Sequence, residues 1–553
     1  MPKCFFSNIY AVLALSVILQ NCKHTKSPIL DERDHQLLTI AHVDSATSQD
    51  VLVRHIELEV NQKTSAKEWP ALLEPLAGKD TLLISLFCEA PTSVLDAELS
   101  GSFEPFWDAL VQWAPRHKGE LFLRWNPLPE IPVKDYPWQY QSPQKYIDAF
   151  RHAVAYCSQR AGCNFKWVYG AAGYPGALEY HPGDSYIDYN SVVLEPRQEA
   201  TLKQYPQEED LSQDLYRRLH RLRFSEKPIM VLGTEAQAAV SLSPSYWRSL
   251  KEAKALPQES DTYTASPYFT FGVYDPLEAL SSSEGVAVEH LFLNWRDMRP
   301  FQKDLKSLAR RDHDAIITVE PYMDSLKKPD PELLQRIVEG RYDNVIHQFY
   351  ESIATFPGTI YLRFAHEMEI PIQRYPWQSE DPIAYIKAYR YFMNFDHPAA
   401  QRARKVWGPA GDRGSLEWYP GDDVVDFISV AIYGLPDKNI QDYARQESFK
   451  TILQRKIWRM RWVNRPIFIT EFGIKGPVSY QSRWLKDAAH AIGQEPRVIG
   501  ACYFNLHDNP DVWGEGLPAP DWSIEAASLD SFLINLPRPL QMDASAYNAD
   551  SLL

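Results

Sequence analysis

The amino-acid sequence predicts an α/β protein made of two tandem (β/α)8 TIM barrels behind a short leader. Three observations carry that expectation. The 553-residue chain contains an internal duplication. Each copy alternates short β-branched and aromatic runs with longer amphipathic ones, the pattern of a parallel sheet wrapped in helices. Each copy is also roughly 240 residues long, the size of one closed barrel. The duplication is plainest where RWNPLPEIPVKDYPWQ (Arg124–Gln139) lies over RFAHEMEIPIQRYPWQ (Arg363–Gln378), with eight of sixteen positions identical and no gap. LEYHPGDSYIDYNSVVLEP and KPIMVLGTE in the first copy likewise answer LEWYPGDDVVDFISVAIYG and RPIFITE in the second. A doubly wound sheet is the competing architecture, but neither copy has a glycine-rich turn after its first strand.

Taken in order, residues 1–22 read as a leader. Lys3 precedes an apolar run from Ile9 to Leu19. About ten apolar residues suit a secretory signal, whereas a membrane span needs nearer 20. Leu19-Gln20-Asn21-Cys22 resembles a bacterial lipobox with Cys22 as the lipid-bearing residue, although Asn21 stands where a small residue is usual. The leading expectation is a lipid-anchored envelope protein on the periplasmic or outer-membrane face. Plain secretion and a retained anchor stay open. Residues 23–50 are expected to form a tether, beginning with polar Lys23–Glu32. The cysteines beyond the leader are Cys88, Cys157, Cys163 and Cys502. Cys157 and Cys163 are close enough in sequence to bridge, but there is no disulfide framework and no zinc spacing.

The first barrel is expected over 51–280 and the second over 286–540, with the loop-like LSSSEG (Leu280–Gly285) between them. In the second copy HLFLNW, AIITVEP, TIYLRFA, KVWGPA, FISVAIYG, PIFITEFG and ACYFN read as strands. Pro331–Ile353 and Pro382–Phe395 read as helices between them. A barrel puts its chemistry at the C-terminal ends of its strands. Glu367 follows TIYLRFA and Glu471 ends PIFIT. Two such carboxylates are what glycoside hydrolysis uses, one protonating the leaving oxygen and one attacking the anomeric carbon. The bland alternative is that each is paired with an arginine, Arg363 and Arg374 being near in sequence.

Composition bounds the partners. The chain carries 57 Lys+Arg against 72 Asp+Glu, a net charge of −15, which argues against nucleic acid or another polyanion. Arg455, Lys456, Arg459 and Arg461 form a local basic cluster on a helix-like stretch, expected to be a solvated face. The 16 Trp and 30 Tyr suit stacking on sugars and equally suit a large core.

YLRFAHEMEIPIQRYPW (Tyr361–Trp377) and ITEFG (Ile469–Gly473) resemble the acid/base and nucleophile signatures of glycoside hydrolase family 26, the β-mannanase family. HLFLNW, VEGRYDNVI and WYPGDDVVDFISVAIYG match in the same order, so the resemblance covers about Val286–Ser523. It implies a (β/α)8 barrel, a retaining mechanism and an endo-β-mannanase-like activity on a polysaccharide substrate. Glu367 would be the general acid/base and Glu471 the nucleophile. His366 would orient Glu367, Tyr433 would hydrogen-bond Glu471, and Trp377 would stack on a sugar. For Trp295, Trp407 and Trp418, packing and sugar contact both stay open, as does a core role for His366. No cofactor or metal is called for. Where the family reads His-Glu-Met-Asn-Gly, this chain has Glu369-Ile370 after Met368, an extra carboxylate expected to alter sugar specificity.

In the first copy Pro127 stands where His366 is, Leu128 where Glu367 is and Glu195 where Tyr433 is. Glu235 answers Glu471 only with a gap. The first barrel is therefore expected to be inactive, either a structural partner or a glycan binder through Tyr136 and Trp138. A wholly non-catalytic, glycan-binding scaffold lipoprotein is the competing reading of the chain. It gives no reason for the second copy to keep both Glu367 and Glu471. Oligomeric state is not legible.

Overall fold

A computed structural model describes residues 31–132, 135–194, 211–233, 242–252, 268–296, 298–322, 330–371, 374–434, 446–508 and 518–540. The leader and Cys22 lie outside them. Among the described residues no helix is long and apolar enough to cross a membrane.

The described strands close into two barrels. The first comprises β1 (Asp31–His42), β2 (Thr47–Asn61), β3 (Leu82–Glu89), β4 (Leu121–Trp125), β5 (Lys166–Gly170), β6 (Tyr189–Val193) and β7 (Ile229–Leu232). The second comprises β8 (Thr270–Tyr274), β9 (Val288–Asn294), β10 (Asp314–Glu320), β11 (Ile360–Phe364), β12 (Arg404–Trp407), β13 (Phe427–Tyr433), β14 (Ile467–Gly473) and β15 (Val498–Phe504). All eight strands of the second barrel run parallel, β8 closing on both β9 and β15. In the first, β1 is antiparallel to β2 and to β7, so a hairpin closes a seven-stranded barrel.

Two expected boundaries move. Of the expected tether 23–50, residues 31–50 are not free, because β1 and the start of β2 are barrel strands. The junction is not Leu280–Gly285, because β8 already belongs to the second sheet. The sequence hides β8 because Gly272 interrupts its apolar run. A Cβ there would lie 2.6 Å from the Val288 carbonyl oxygen, so strand pairing at this point needs a glycine. HLFLNW is consequently the second strand of its barrel. The expected helix Pro331–Ile353 is two helices, Leu333–Val338 and Asp343–Ile353, parted at Gly340 with φ +76°.

Strands with both faces covered read as unbroken apolar runs, and every residue of β11 and β14 is buried. The lower interior of the second barrel is filled by Val288, Ile316, Tyr361, Val406, Phe427, Phe468 and Cys502. Helices cover the outer face. Pro382–Met393 starts where Asp381 accepts from Ile383 N at 2.9 Å, with Pro382 at the first position, and buries Ile383, Tyr385, Ile386, Tyr389 and Phe392. Each such side chain contributes about 1.5–3 kcal/mol by leaving water. Cys88, Cys157, Cys163 and Cys502 are free thiols.

Candidate active site

The upper end of the second barrel opens into a cleft of about 430 Å³, lined among others by Tyr274, Phe292, Glu320, His366, Glu367, Tyr375, Asp412, Tyr433, Glu471 and Trp522. Glu367 sits in a sharp turn after β11. Its φ is +53° and that of Ala365 is +48°, a left-handed conformation costing roughly 1–2 kcal/mol at a residue with a side chain. The turn is held because Glu367 N donates to Gly408 O at 2.8 Å and Gln378 Nε2 donates to Glu367 O at 3.1 Å. Leu128 keeps the same turn in the first barrel, at φ +64° with its N–H on Gly170 O. The backbone turn is present there without a carboxylate.

Glu471 reaches the cleft through an irregularity of its strand. Pairing slips between Ser429 and Ala431 on β13 and between Ile469 and Phe472 on the β15 side. Such a bulge re-aims a side chain. Tyr433 Oη donates to Glu471 Oε2 at 2.9 Å, and Arg363 Nη2 donates to Oε1. Arg363 is itself buried and fixed, with Nε on Thr318 Oγ1 at 2.7 Å and Nη1 on Thr470 Oγ1 at 2.9 Å. His290 braces the same floor, Nε2 lying 2.8 Å from Thr318 Oγ1 and Nδ1 3.1 Å from Thr470 O. The arginine pairing is therefore present at Glu471, as part of the cleft floor.

The carboxyl of Glu367 is pushed up to about 7, first by burial and then by the negative charge of Glu471. Glu320, at the end of β10, is pushed up to about 7 by burial, against hydrogen bonds from Tyr375 and Tyr322. His366 is buried, and burial together with Arg363 holds its imidazole well below the ordinary histidine value, hence neutral.

Several expected roles change. His366 makes no hydrogen bond to Glu367, and its Nδ1 is buried with no hydrogen-bond partner. It touches the site through its ring, 5.3 Å from Tyr375 and 5.8 Å from Phe292. Trp377 is buried and cannot meet a sugar. Its Nε1 donates to His366 O at 2.8 Å and its ring lies under Tyr375 at 4.6 Å and 4°. The cleft-facing aromatic of that motif is Tyr375. Trp295 packs on Tyr342 at 4.9 Å and Trp407 against Tyr419 at 5.0 Å, both buried in the core. Trp418 is likewise core, against Tyr385. In the first copy Trp138 is buried beneath Tyr136, so it offers glycan no face.

Glu369 does not line the cleft. Its Oε1 accepts from Gly411 N at 2.9 Å, Asp412 N at 3.1 Å and Ser415 Oγ at 2.8 Å, pinning the loop after β12. Glu130 does the same in the first copy, accepting from Ala172 N at 2.8 Å and Gly173 N at 2.9 Å. The repeat carried that signal, since Glu130 and Glu369 align. Glu320 and Trp522 escaped the sequence reading. Glu320 closed a recognised strand without a counterpart, as Phe87 stands there in the first copy. Trp522 lies beyond the last strand, where it packs on Tyr433 at 4.7 Å.

The basic cluster is not a solvated face. Lys456 and Arg461 are buried, Arg459 pairs with Glu179 at 3.3 Å, and Arg455 pairs with Glu447 at 2.8 Å. The mouth of the first barrel is closed by apolar Leu38, Ile40, Val193, Met230 and Leu232, with Leu128 packed against them. Glu195 and Glu235 lie outside the described residues.

Among the described residues His347, Glu351 and His397 gather within 4.8 Å, away from the cleft. His397 Nδ1 accepts from Ala399 N at 3.1 Å, so the ring proton sits on Nε2, 3.0 Å from Glu351 Oε1. That is a helix cap whose other ring nitrogen hydrogen-bonds a carboxylate, rather than a metal ligand set.

No family model matches the chain. Among curated proteins it is 25% identical over 258 residues to endoglucanase H of Acetivibrio thermocellus, covering 43% of this chain and 26% of that protein. It is also 25% identical over 157 residues to a β-1,3-xylanase of a Vibrio species, covering 27% of this chain and 30% of that one. The chain thus spans between a quarter and a third of the length of these relatives. Its structural neighbours include glycoside hydrolase family 26 mannanases. One is a modular endo-β-1,4-mannanase of Cellulomonas fimi (16% identity, 51% of this chain and 73% of that one, TM-score 0.36). Another is a β-mannanase of Bacteroides ovatus (13% identity, 51% and 92%, TM-score 0.38).

Proposed function

We propose that the second barrel is a retaining β-glycanase, with β-mannan as the favoured substrate. The observation that carries this is the contrast between two carboxyls in one cleft. Glu367 is raised to about 7, while Glu471 is met by the donors Tyr433 and Arg363. A carboxyl raised by burial suits a general acid, and a carboxyl met by two hydrogen-bond donors suits a nucleophile. Glu367 protonates the glycosidic oxygen as Glu471 attacks the anomeric carbon. Glu367, now a carboxylate, then takes a proton from the water that releases the sugar from Glu471. The curated relatives, an endoglucanase and a xylanase, support a β-glycanase. The preference for mannan rests on the motifs around Glu367 and Glu471. The anchor reading, lipidation at Cys22 and residence in the cell envelope, belongs to the same proposal and rests on the leader sequence.

The test is a reducing-end assay of residues 27–553 on β-mannans, β-glucans and β-xylans, with Glu367→Gln and Glu471→Gln beside it. The expected result is cleavage of one glycan, abolished in both variants, with the first-formed anomer matching the substrate. An inverted anomer overturns the retaining step. No cleavage, with unchanged glycan retention in both variants, replaces the hydrolase by a binding scaffold. For the anchor, fatty-acid labelling lost in Cys22→Ser is the expected outcome.

A further inference from the structure

The two barrels meet through a face that repeats itself. Arg221 Nε lies 3.0 Å from Glu417 Oε2, and Arg459 Nε lies 3.3 Å from Glu179 Oε1. Arg459 and Glu417 stand 238 positions beyond Arg221 and Glu179, so the second pair is the first with the barrels exchanged. The same exchange relates Arg223 Nη2 donating to Leu416 O at 3.0 Å with Arg461 Nη2 donating to Leu178 O at 2.8 Å. It relates the rings of Phe224 and Tyr419, 6.2 Å apart, with those of Trp462 and His181, 5.2 Å apart. Such reciprocity is that of an isologous two-fold interface, here built inside one chain.

The second barrel's half of this face includes Gly411–Trp418, the stretch after β12. That stretch is also a wall of the cleft, because Asp412 lines it. Glu369 holds it from within the second barrel, through Gly411, Asp412 and Ser415. The first barrel holds it from outside. Arg217 and Arg221 both grip Glu417, at 3.3 and 3.0 Å. Arg413 departs from the symmetry, since Pro175 stands at the matching position. Its guanidinium donates to Pro175 O at 3.1 Å and to Glu130 O. Asp412 is thereby placed where Lys456, another cleft residue, meets it at 3.4 Å.

We infer that the first barrel is a positioning partner for the cleft: through Arg217, Arg221 and the anchorage of Arg413 it holds the loop 411–418 so that Asp412 presents its carboxylate to the glycan. The kinetic consequence rests on the hydrolase reading above, and the structural one does not. Asp412 accepts sugar hydroxyls and is not one of the two carboxyls that act on the bond, so the effect falls on binding.

The experiment uses the full chain carrying Arg221→Met, Glu417→Gln or Asp412→Asn, and the Arg221→Met/Asp412→Asn pair. Amide hydrogen exchange should show protection at Gly411 and Asp412 reduced about tenfold or more in Arg221→Met and Glu417→Gln, with β14 unchanged. On the glycan cleaved by the parent, KM should rise roughly 5–20-fold in both, with kcat within about twofold. Asp412→Asn should raise KM similarly, and the double variant no further, since both act on one contact. Unaltered protection, an unaltered KM, or additive effects in the double variant overturn the inference. Should Arg221→Met fail to fold, Arg413→Ala makes the same comparison. Should the parent cleave nothing, the hydrolase reading falls, and exchange alone decides whether the first barrel holds this loop.

Discussion

Tyr433 Oη donates to Glu471 Oε2 at 2.9 Å, from a neighbouring strand of the same barrel. The phenol's own proton is held tightly, because burial and the Glu471 charge push Tyr433 well above the ordinary tyrosine value. It can therefore donate to the carboxylate without giving up its proton. A hydrogen bond to a charged group is worth about 1.5–3 kcal/mol. Tyr433→Phe should lower kcat/KM about 10–100-fold while leaving the melting temperature within a few degrees. Steady-state kinetics beside calorimetry check this, and an unchanged kcat/KM refutes it.

The raised carboxyl of Glu367 sets a pH dependence. Hydrolysis should fall on the alkaline side with an apparent value near 7, the value to which burial and Glu471 push the acid. That limb belongs to the Glu367 and Glu471 pair, since interacting sites titrate jointly. A pH profile of kcat/KM from 4 to 9 tests it, and a flat profile through 8 contradicts it.

Stability should carry the opposite mark. A carboxyl raised in the folded state binds its proton more tightly folded than unfolded. It therefore costs no stability below its unfolded value near 4.5, and the cost grows as pH rises to about 7 and is full above that. Glu367→Gln removes the cost. The variant should melt above the parent at pH 8 and level with it at pH 4, as measured by differential scanning calorimetry.

Arg363 is buried with its charge against Glu471. Removing one partner of a buried pair strands the other and costs about 3–5 kcal/mol. Arg363→Met should abolish hydrolysis and lower the denaturant midpoint. Arg363→Met/Glu471→Gln should recover much of the midpoint and none of the activity. A double variant no more stable than the single would show that the pair is not the cause.

Glu369 should behave as a structural group. Glu369→Gln keeps an acceptor for Gly411 N and Ser415 Oγ but loses its charge, whereas Glu369→Ala strands buried donors at about 1–3 kcal/mol. Melting temperature should drop in the order Ala below Gln below parent. The ranking of glycans cleaved should be the same in all three, and a changed ranking restores the specificity role.

The duplication and seven of the eight strands of the second barrel were legible in the sequence, and the family-like motifs pointed to Glu367 and Glu471, which the structure brings into one cleft. The tryptophans were not. Trp377 and Tyr375 are two positions apart in one turn, and only the fold decides which ring faces the cleft and which lies beneath it. Trp295 and Trp407 sit at strand ends where a barrel can point a side chain either into its mouth or under its helices. The basic run Arg455–Arg461 read as solvated because helix periodicity does not reveal that a second domain covers that face. The hairpin of β1 and β2 was hidden because, among the described residues, the second copy has no antiparallel strand to compare with it.

The reciprocal pairs Arg221 with Glu417 and Arg459 with Glu179 bear on how the molecule could change over time. In an association of identical subunits, every replacement is made on both sides at once, and no half can lose a function the other keeps. Joining the halves into one polypeptide removes that constraint. Arg413 can then stand opposite Pro175, and Leu128 opposite Glu367, without either change being mirrored. Covalent fusion is what lets one member of the couple carry Leu128 where the other carries Glu367.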